Sequence, residues 1–116
     1  KALFTDPVVI TGMVSNAELA ARSSIGYFLF VPPGVNETLI ESAGFELYRR
    51  VDATENAATI SKRWHDARVD ERPALVQIEG EDRYAGLQEF FSSVHRLTSE
   101  RRLSRYAYLM QRRPAA

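Results

Sequence analysis

One helix-to-strand junction near the middle of the chain constrains the fold more than any other stretch of the sequence. Residues 42–54 read SAGFELYRRVDAT, and apolar residues at helical spacing come just before them. Gly44 supplies the left-handed position at which such a helix ends. Alternate residues from Phe45 to Val51 then point to the same side, which is typical of a strand. The sequence therefore predicts a helix and a strand joined by a tight turn, a connection typical of α/β domains.

The residues before this junction predict three short elements. Residues 1–11 read as an extended segment whose first strand ends at Asp6, because the next residue is a proline. Residues 15–18 (SNAE) form a capping-box pattern, which predicts a short helix that ends near Arg22. Asn36 is expected to cap the helix that precedes the junction.

Longer helical patterns follow the junction. Residues 54–69 predict a helix with a buried stripe, and residues 81–102 predict a strongly amphipathic second one. Residues 72–80 are ambiguous between a short helix and a strand, and residues 105–111 predict a closing strand. No repeat or linker interrupts the chain, so residues 1–116 are expected to form one domain. The stripe expected on the first of these helices consists of Ala57, Ile60, Trp64 and Ala67.

Composition limits the classes of function. Fifteen basic and fifteen acidic residues cancel, so no overall field favours nucleic acid or an anionic membrane as a partner. The longest apolar run, GYFLFV, is far too short to span a membrane. The sequence has no cysteine, which removes disulfides and thiolate metal sites and fits a cytoplasmic location. The sequence also contains only two histidines, so no metal centre is expected.

The glycine pattern excludes another class of site. Phosphate loops and dinucleotide fingerprints need closely spaced glycines, because the backbone must approach the ligand. The six glycines of this chain stand at positions 12, 26, 34, 44, 80 and 86. None lies within two residues of another, so no such loop is expected here. The sequence also lacks the G-x-S-x-G pattern of hydrolases.

The ordered set of segments resembles a known family. ALFTDPVVITG, LIESAGFELYRRVDAT, RWHDAR and ERRLSRYAYLM together resemble the C-terminal half of class I (Rossmann-like) S-adenosylmethionine-dependent small-molecule methyltransferases. The resemblance covers nearly the whole chain. It implies an α/β fold made of strands five and six with flanking helices, and an antiparallel strand seven between them. It also implies that the cofactor-binding portion, with its glycine-rich loop, would precede residue 1.

The resemblance and the residue chemistry together suggest site residues. Asp6 and His65 are the candidate catalytic residues, Asp6 by its place after the first strand and His65 as a general base. A turn at Asp6 and a solvent-exposed His65 are the alternative interpretations. Neither a metal site nor a cofactor-binding residue is expected in this portion. The candidate substrate-binding residues are Arg22, Ser23, Tyr27, Phe28 and Trp64, with core packing or a helix-end charge as the alternative interpretations.

Two functions from different classes follow. The resemblance implies that a parent enzyme transfers methyl groups from S-adenosylmethionine to a small molecule, and that this portion alone is inactive without its N-terminal half. The alternative is a non-catalytic α/β module that binds a ligand or a partner. If strand five lies at an exposed edge, the chain is also expected to form a homodimer through that edge.

Overall fold

The computed structural model describes the backbone of residues 2–25 and 29–114 and the side chains of residues 8–25 and 29–114. Two short helices lie between the first two strands, and three helices precede the last strand. The elements are β1 (Ala2–Ile10), α1 (Asn16–Arg22), α2 (Val35–Ser42), β2 (Phe45–Asp52), α3 (Thr54–Asp70), α4 (Arg72–Glu79), α5 (Glu81–Ser99) and β3 (Leu103–Arg112).

The three strands form one sheet with the order β1-β3-β2. β3 is antiparallel to both neighbours, so β1 and β2 run in the same direction. This confirms the α/β fold class and the strand arrangement that the resemblance implies, with the last strand reversed between the two earlier ones. The segment predicted to be ambiguous, residues 72–80, forms the short helix α4 with a proline in its first turn.

β1 is longer than the sequence predicts. The strand does not end at Asp6, which pairs with Tyr106 in the interior of the ladder. The pairing shifts between Asp6 and Val9, where Pro7 has no N–H to donate, and the strand then continues to Ile10. An irregularity in the pairing thus replaces the predicted strand end, and Asp6 is not placed at the carboxyl end of the strand.

The predicted helix ends are partly correct. Ser15 and Glu18 form the predicted capping box at α1, and Gly44 has the predicted left-handed backbone, with φ +85°. At α2, however, Gly34 occupies the cap position, and Asn36 lies inside the helix. Asn36 is buried there, and its amide donates a hydrogen bond to the Tyr108 hydroxyl at 3.3 Å. A cross-layer hydrogen bond therefore replaces the predicted cap.

The core between α2 and the sheet is small. Ile40 of α2 packs with Tyr108 and Met110 of β3, and Phe45 and Leu47 of β2 pack against this cluster. The predicted alternation of β2 stops there, because the pairing with β3 shifts after Leu47. The residues of β2 beyond the shift are exposed, including the apolar Val51. Only the first half of β2 thus contributes side chains to this core.

Helices α3 and α5 form an antiparallel pair joined by α4. The predicted buried stripe on α3 is wrong for three of its four residues, since Ile60 is 39% exposed, Trp64 is 58% exposed and Ala67 is exposed as well. The buried residues of α3 are Thr54, Ala57, Ala58 and Ser61. α5 therefore packs against a neighbouring face, and the His95 ring bonds the Ala58 carbonyl there at 2.8 Å. The large apolar side chains of α3 consequently remain at the surface.

Glycine substitutions should separate a close backbone approach from an open helix position. A β-carbon on Gly12 would lie 2.9 Å from the Arg102 α-carbon, whereas a β-carbon on Gly86 of α5 has no atom within 4 Å. We expect Gly12→Ala to lower the free energy of unfolding by about 1–3 kcal/mol, since backbone must move. Gly86→Ala should raise it by about 1 kcal/mol, because alanine favours the helix.

Urea unfolding of both glycine variants, followed by circular dichroism, measures this difference. The two substitutions add the same methyl group, so they are matched in chemistry. Shifts of the same sign in the two variants would contradict the expected difference between the sites.

Candidate functional site

A cavity of about 230 Å³ lies where α1, α3 and α5 meet β3. It brings together two of the predicted substrate-binding residues, Arg22 and Trp64. Most of its lining is apolar or aromatic, with two guanidinium groups and two hydroxyls among the rest. The lining residues are Arg22, Ala57, Ile60, Ser61, Trp64, Phe90, Phe91, Val94, Thr98 and Arg105.

The first guanidinium is that of Arg22, at the last position of α1. The capping box fixes the start of this short helix, and α1 packs on α5, which brings Arg22 under the helix pair. Its guanidinium lies 5.2 Å from the centre of the Phe90 ring, in cation–π range. The residue is only 4% exposed, and this burial lowers the pKa of Arg22.

Aromatic rings form one wall of the cavity. Trp64 of α3 and Phe91 of α5 are nearly parallel, with ring centres 5.9 Å apart and an angle of 7° between their planes. Phe90 meets Phe91 edge-on at 5.4 Å. These rings come from two antiparallel helices, so the packing of α3 on α5 positions them. Flat ligand groups of similar size would find complementary surfaces here.

The second guanidinium is that of Arg105, in β3. The backbone of Arg105 is held at the start of α3, because its N–H donates to Thr54 Oγ1 at 3.1 Å and its carbonyl accepts from the Ala53 N–H at 2.8 Å. The Nε atom is buried and has no hydrogen-bond acceptor among the described residues. A buried N–H without an acceptor costs free energy, which a suitably placed ligand oxygen would recover.

The two hydroxyl groups of the lining are already occupied. Ser61 donates to the carbonyls of Ala57 and Ala58 at 2.8 and 3.0 Å. Thr98 donates to the Val94 carbonyl at 2.6 Å. Because both hydroxyls bond their own helix, the guanidinium of Arg105 is the stronger polar group offered to a ligand.

Two other candidate residues, His65 and Ser23, do not line the cavity. His65 is beside Asp66, with 3.2 Å between Nδ1 and Oδ1, and does not line the cavity. The Ser23 hydroxyl donates to the Leu19 carbonyl at 2.8 Å at the end of α1. Tyr27 and Phe28 lie outside the described residues. The structure therefore brings Arg22 and Trp64 together and leaves His65 and Ser23 apart from them.

Sequence reasoning named two of the ten lining residues as site residues, and those that it missed include Arg105, Phe90 and Phe91. One signal was available for Arg105. Tyr106, Tyr108 and Met110 belong to the apolar cluster on the α2 side of the sheet, so the alternation of the strand places Arg105 on the opposite face. A cation on the helix-covered face of a central strand is unusual for a packed core.

A wider groove of about 540 Å³ lies on the opposite face of α3. Its charges are largely paired, since Lys62 bonds Asp66 at 2.7 Å and Arg101 bonds Asp52 at 2.7 Å. The His95 Nδ1 must donate to the Ala58 carbonyl, which fixes the tautomer of the ring. Surface ion pairs and hydrogen bonds thus account for most of the polar groups of this groove, and it is the weaker candidate.

An ion network fixes the far end of the helix pair. Arg68 of α3 makes two hydrogen bonds with Glu79 of α4, at 3.0 and 2.7 Å, and a third with Gln88 of α5 at 2.8 Å. The Tyr84 hydroxyl donates to the Arg68 carbonyl at 3.0 Å. Arg68 thereby connects α3, α4 and α5. These hydrogen bonds fix the position of α3 relative to α5, two of the helices whose residues line the cavity.

This network should make stability depend on pH. The hydrogen bonds from Arg68 lower the pKa of Glu79 below its ordinary value of 4.5. A lowered folded-state pKa means stabilisation that is present above the unfolded pKa and is lost as the pH falls through the folded one. We therefore expect Glu79→Gln to lower the melting temperature at neutral pH, and the deficit to shrink in acid below pH 4.5.

Thermal unfolding of the natural sequence and of Glu79→Gln, from neutral pH to below the lowered pKa, measures this effect. Glu89→Gln, at an exposed position of α5, is the matched control. A deficit of Glu79→Gln that stayed constant with pH would show that the carboxylate charge does not contribute.

The described residues contain no group of three or more histidine, cysteine, aspartate or glutamate side chains that could hold a metal ion. Among the same residues, no helix is long and apolar enough to cross a membrane.

Comparison with known proteins gives a fold likeness. No family model matches the sequence, and no curated protein is significantly similar to it. A solved structure from Galdieria sulphuraria, assigned as a sarcosine dimethylglycine methyltransferase, superposes with a TM-score of 0.80 at 10% identity. Phosphoethanolamine N-methyltransferase 2 of Haemonchus contortus, solved with phosphomonomethylethanolamine and S-adenosylhomocysteine, superposes with a TM-score of 0.78 at 14% identity.

These superpositions cover 98% and 97% of this chain but only 42% and 26% of the two neighbours. The chain thus spans less than half the length of either methyltransferase. At these identities the likeness shows the fold, and the expectation of a methyltransferase-like fold from the sequence is confirmed.

Proposed function

We propose that this chain is the acceptor-binding portion of an S-adenosylmethionine-dependent methyltransferase that acts on a small molecule. The observation that carries the proposal is the fold likeness to methyltransferases over almost the whole chain. The reversed strand β3 between β1 and β2 is part of that likeness. Absence of cysteine fits work in the reducing cytoplasm.

The position of the cavity supports an acceptor site. β1 and β2 run in the same direction, and α3 begins directly after the carboxyl end of β2. Ligands of α/β sheets bind outside the carboxyl ends of such strands. Ala57, one turn into α3, already lines the cavity. A small molecule held there would lie at the end of the sheet where α/β proteins bind their ligands.

The described residues do not fit the cofactor. The turn after β1 contains one glycine, Gly12, and its missing β-carbon makes room for the Arg102 backbone, not for a ligand. Gly34, Gly44 and Gly80 have positive φ and stand singly at turns. The proposal therefore assigns cofactor binding to protein outside this chain, namely to the N-terminal half that the resemblance implies. The part of this chain is to bind and orient the acceptor, and such orientation is a large component of catalysis.

The natural protein tests the proposal. An antibody against this chain would isolate the protein from its source, and the isolate would be incubated with radiolabelled S-adenosylmethionine and small-molecule extract of the same cells. We expect label in small products, and none when the 116-residue chain replaces the isolate. Failure of the isolate to bind S-adenosylmethionine would overturn the proposal.

A non-catalytic binding module is the second candidate. The favouring observation is that this chain itself supplies both the aromatic wall of the cavity and the Arg105 guanidinium. The intact mass of the isolate discriminates between the two. A mass equal to that of the 116 residues would favour the module, and a larger chain that binds S-adenosylmethionine would favour the enzyme.

A further inference from the structure

We propose that the cavity between α1, α3 and α5 selects a compact carboxylic acid with a flat apolar body, and that Arg105 binds its carboxylate. The role of this acid as the methyl acceptor rests on the proposed function, whereas its binding to the cavity does not. It assigns a ligand class to the cavity and a specificity role to a residue of β3.

The charge of the lining indicates an anion. Arg22 and Arg105 both line the cavity, and no acidic side chain does so among the described residues. No ion pair joins Arg105 to any described carboxylate, and its buried Nε has no acceptor there. A guanidinium offers paired donors that match the two oxygens of a carboxylate. An anionic oxygen at this position would satisfy the buried N–H.

The size and walls of the cavity limit the rest of the ligand. Its volume of about 230 Å³ is below the range typical of drug-sized ligands, so the ligand is small. The Trp64 and Phe91 rings lie nearly parallel, and Phe90, Ile60 and Val94 complete an apolar surface. Such walls favour a planar, apolar body over a sugar or a polyol.

The occupied hydroxyls argue against a neutral polar ligand. Ser61 and Thr98 both donate to carbonyls of their own helices, so their protons are not offered to a ligand. A hydroxyl-rich molecule would lose its hydration without finding equivalent partners. A phosphate monoester is bound by guanidinium as well, but it carries more charge and three oxygens into a mostly apolar cavity, which raises its cost of desolvation. The carboxylate is therefore the favoured anion.

Titration calorimetry on the 116-residue chain with benzoate, benzamide and phenyl phosphate tests the inference. These probes share one ring and differ in the head group. We expect benzoate to bind at least about tenfold more tightly than benzamide, since a charge-assisted hydrogen bond replaces a neutral one. Its affinity should fall with added salt. Equal affinities for benzoate and benzamide, or tighter binding of phenyl phosphate, would overturn the proposal.

Variants locate the contact. Arg105→Met keeps most of the side-chain length and should abolish the preference for benzoate over benzamide, whereas Arg105→Lys should keep part of it. Arg49→Met, at an exposed position of β2, is the matched control and should change nothing. Folding of each variant is checked by circular dichroism. If Arg105→Met does not fold, the probe series on the natural sequence and on Arg105→Lys still decides the matter.

The outcomes separate this inference from the proposed function. Benzoate binding through Arg105 together with a natural protein that does not bind S-adenosylmethionine would keep the carboxylate site and reject the methyltransferase. Methyl transfer by the natural protein without discrimination among the probes would keep the enzyme and reject the carboxylate site.

Discussion

Replacing Leu97 by alanine is expected to lower the free energy of unfolding by about 3 kcal/mol. Leu97 is 0% exposed, and its carbonyl accepts a hydrogen bond from the Arg102 N–H at 2.9 Å where α5 ends and the chain turns toward β3. Truncation would leave a cavity at the point where the helix pair meets the sheet. Because the apolar core is small, little remains nearby to fill the space.

Urea unfolding followed by circular dichroism and by tryptophan fluorescence measures the loss. Leu39→Ala is the matched control, because Leu39 of α2 is 59% exposed and its truncation should cost well under 1 kcal/mol. If the two leucine variants had equal stabilities, the helix pair would not be anchored to the sheet through Leu97.

The isolated chain is expected to form dimers through β1. β1 lies at one edge of the three-stranded sheet, and among the described residues only the end of the strand is covered on its outer side, by a bridge between Val9 and Val31. Unpaired backbone groups at such an edge pair readily with another strand. Light scattering over a range of concentrations should therefore show a mass rising toward that of two chains.

Two proline substitutions test the route of association. Successive N–H groups of a strand point to opposite sides, so one of Phe4→Pro and Thr5→Pro removes an outward N–H and the other an inward one. We expect one variant to stay folded and monomeric, and the other to lose the pairing of β1 with β3. If both variants fold and both dimerise with unchanged affinity, the dimer contact does not involve β1.

Local signals in the sequence predicted the elements well. Gly44 and the capping box at Ser15 act through neighbouring backbone atoms, so both positions could be assigned from a few residues. The order of the strands came from the resemblance, since no local signal tells which strands pair. Asn36 failed as a cap because its amide instead bonds Tyr108, seventy-two residues away.

The face of α3 shows why burial was harder to predict. Ile60 and Trp64 have the right spacing for a buried stripe, but the buried residues of α3 have small side chains, namely Thr54, Ala57, Ala58 and Ser61. Close packing of α5 selects small residues at the contact, and hydrophobicity alone does not reveal this. Exposure of Trp64 is also what makes the ring a wall of the candidate cavity.

The residues of the candidate cavity were predicted only in part from the sequence. Arg22 and Trp64 were identified from residue type and resemblance, and the structure places them on one cavity. Arg105 was missed because its role depends on the register of β3, which sets the face of the sheet that its side chain reaches. Register is a tertiary property, fixed by pairing with strands far away in the sequence.

The position of β3 also determines the order in which this domain can assemble during synthesis. β1 and β2 emerge first, yet neither contacts the other, and both must wait for β3 to be translated. Partners such as Leu3 and Leu109 are more than a hundred residues apart, so closing the sheet requires long loops and should be slow. The helix pair α3–α5, whose contacts are much more local, can fold earlier. A nascent chain halted before β3 would consist of a helical hairpin and two strands without partners, a natural substrate for chaperones.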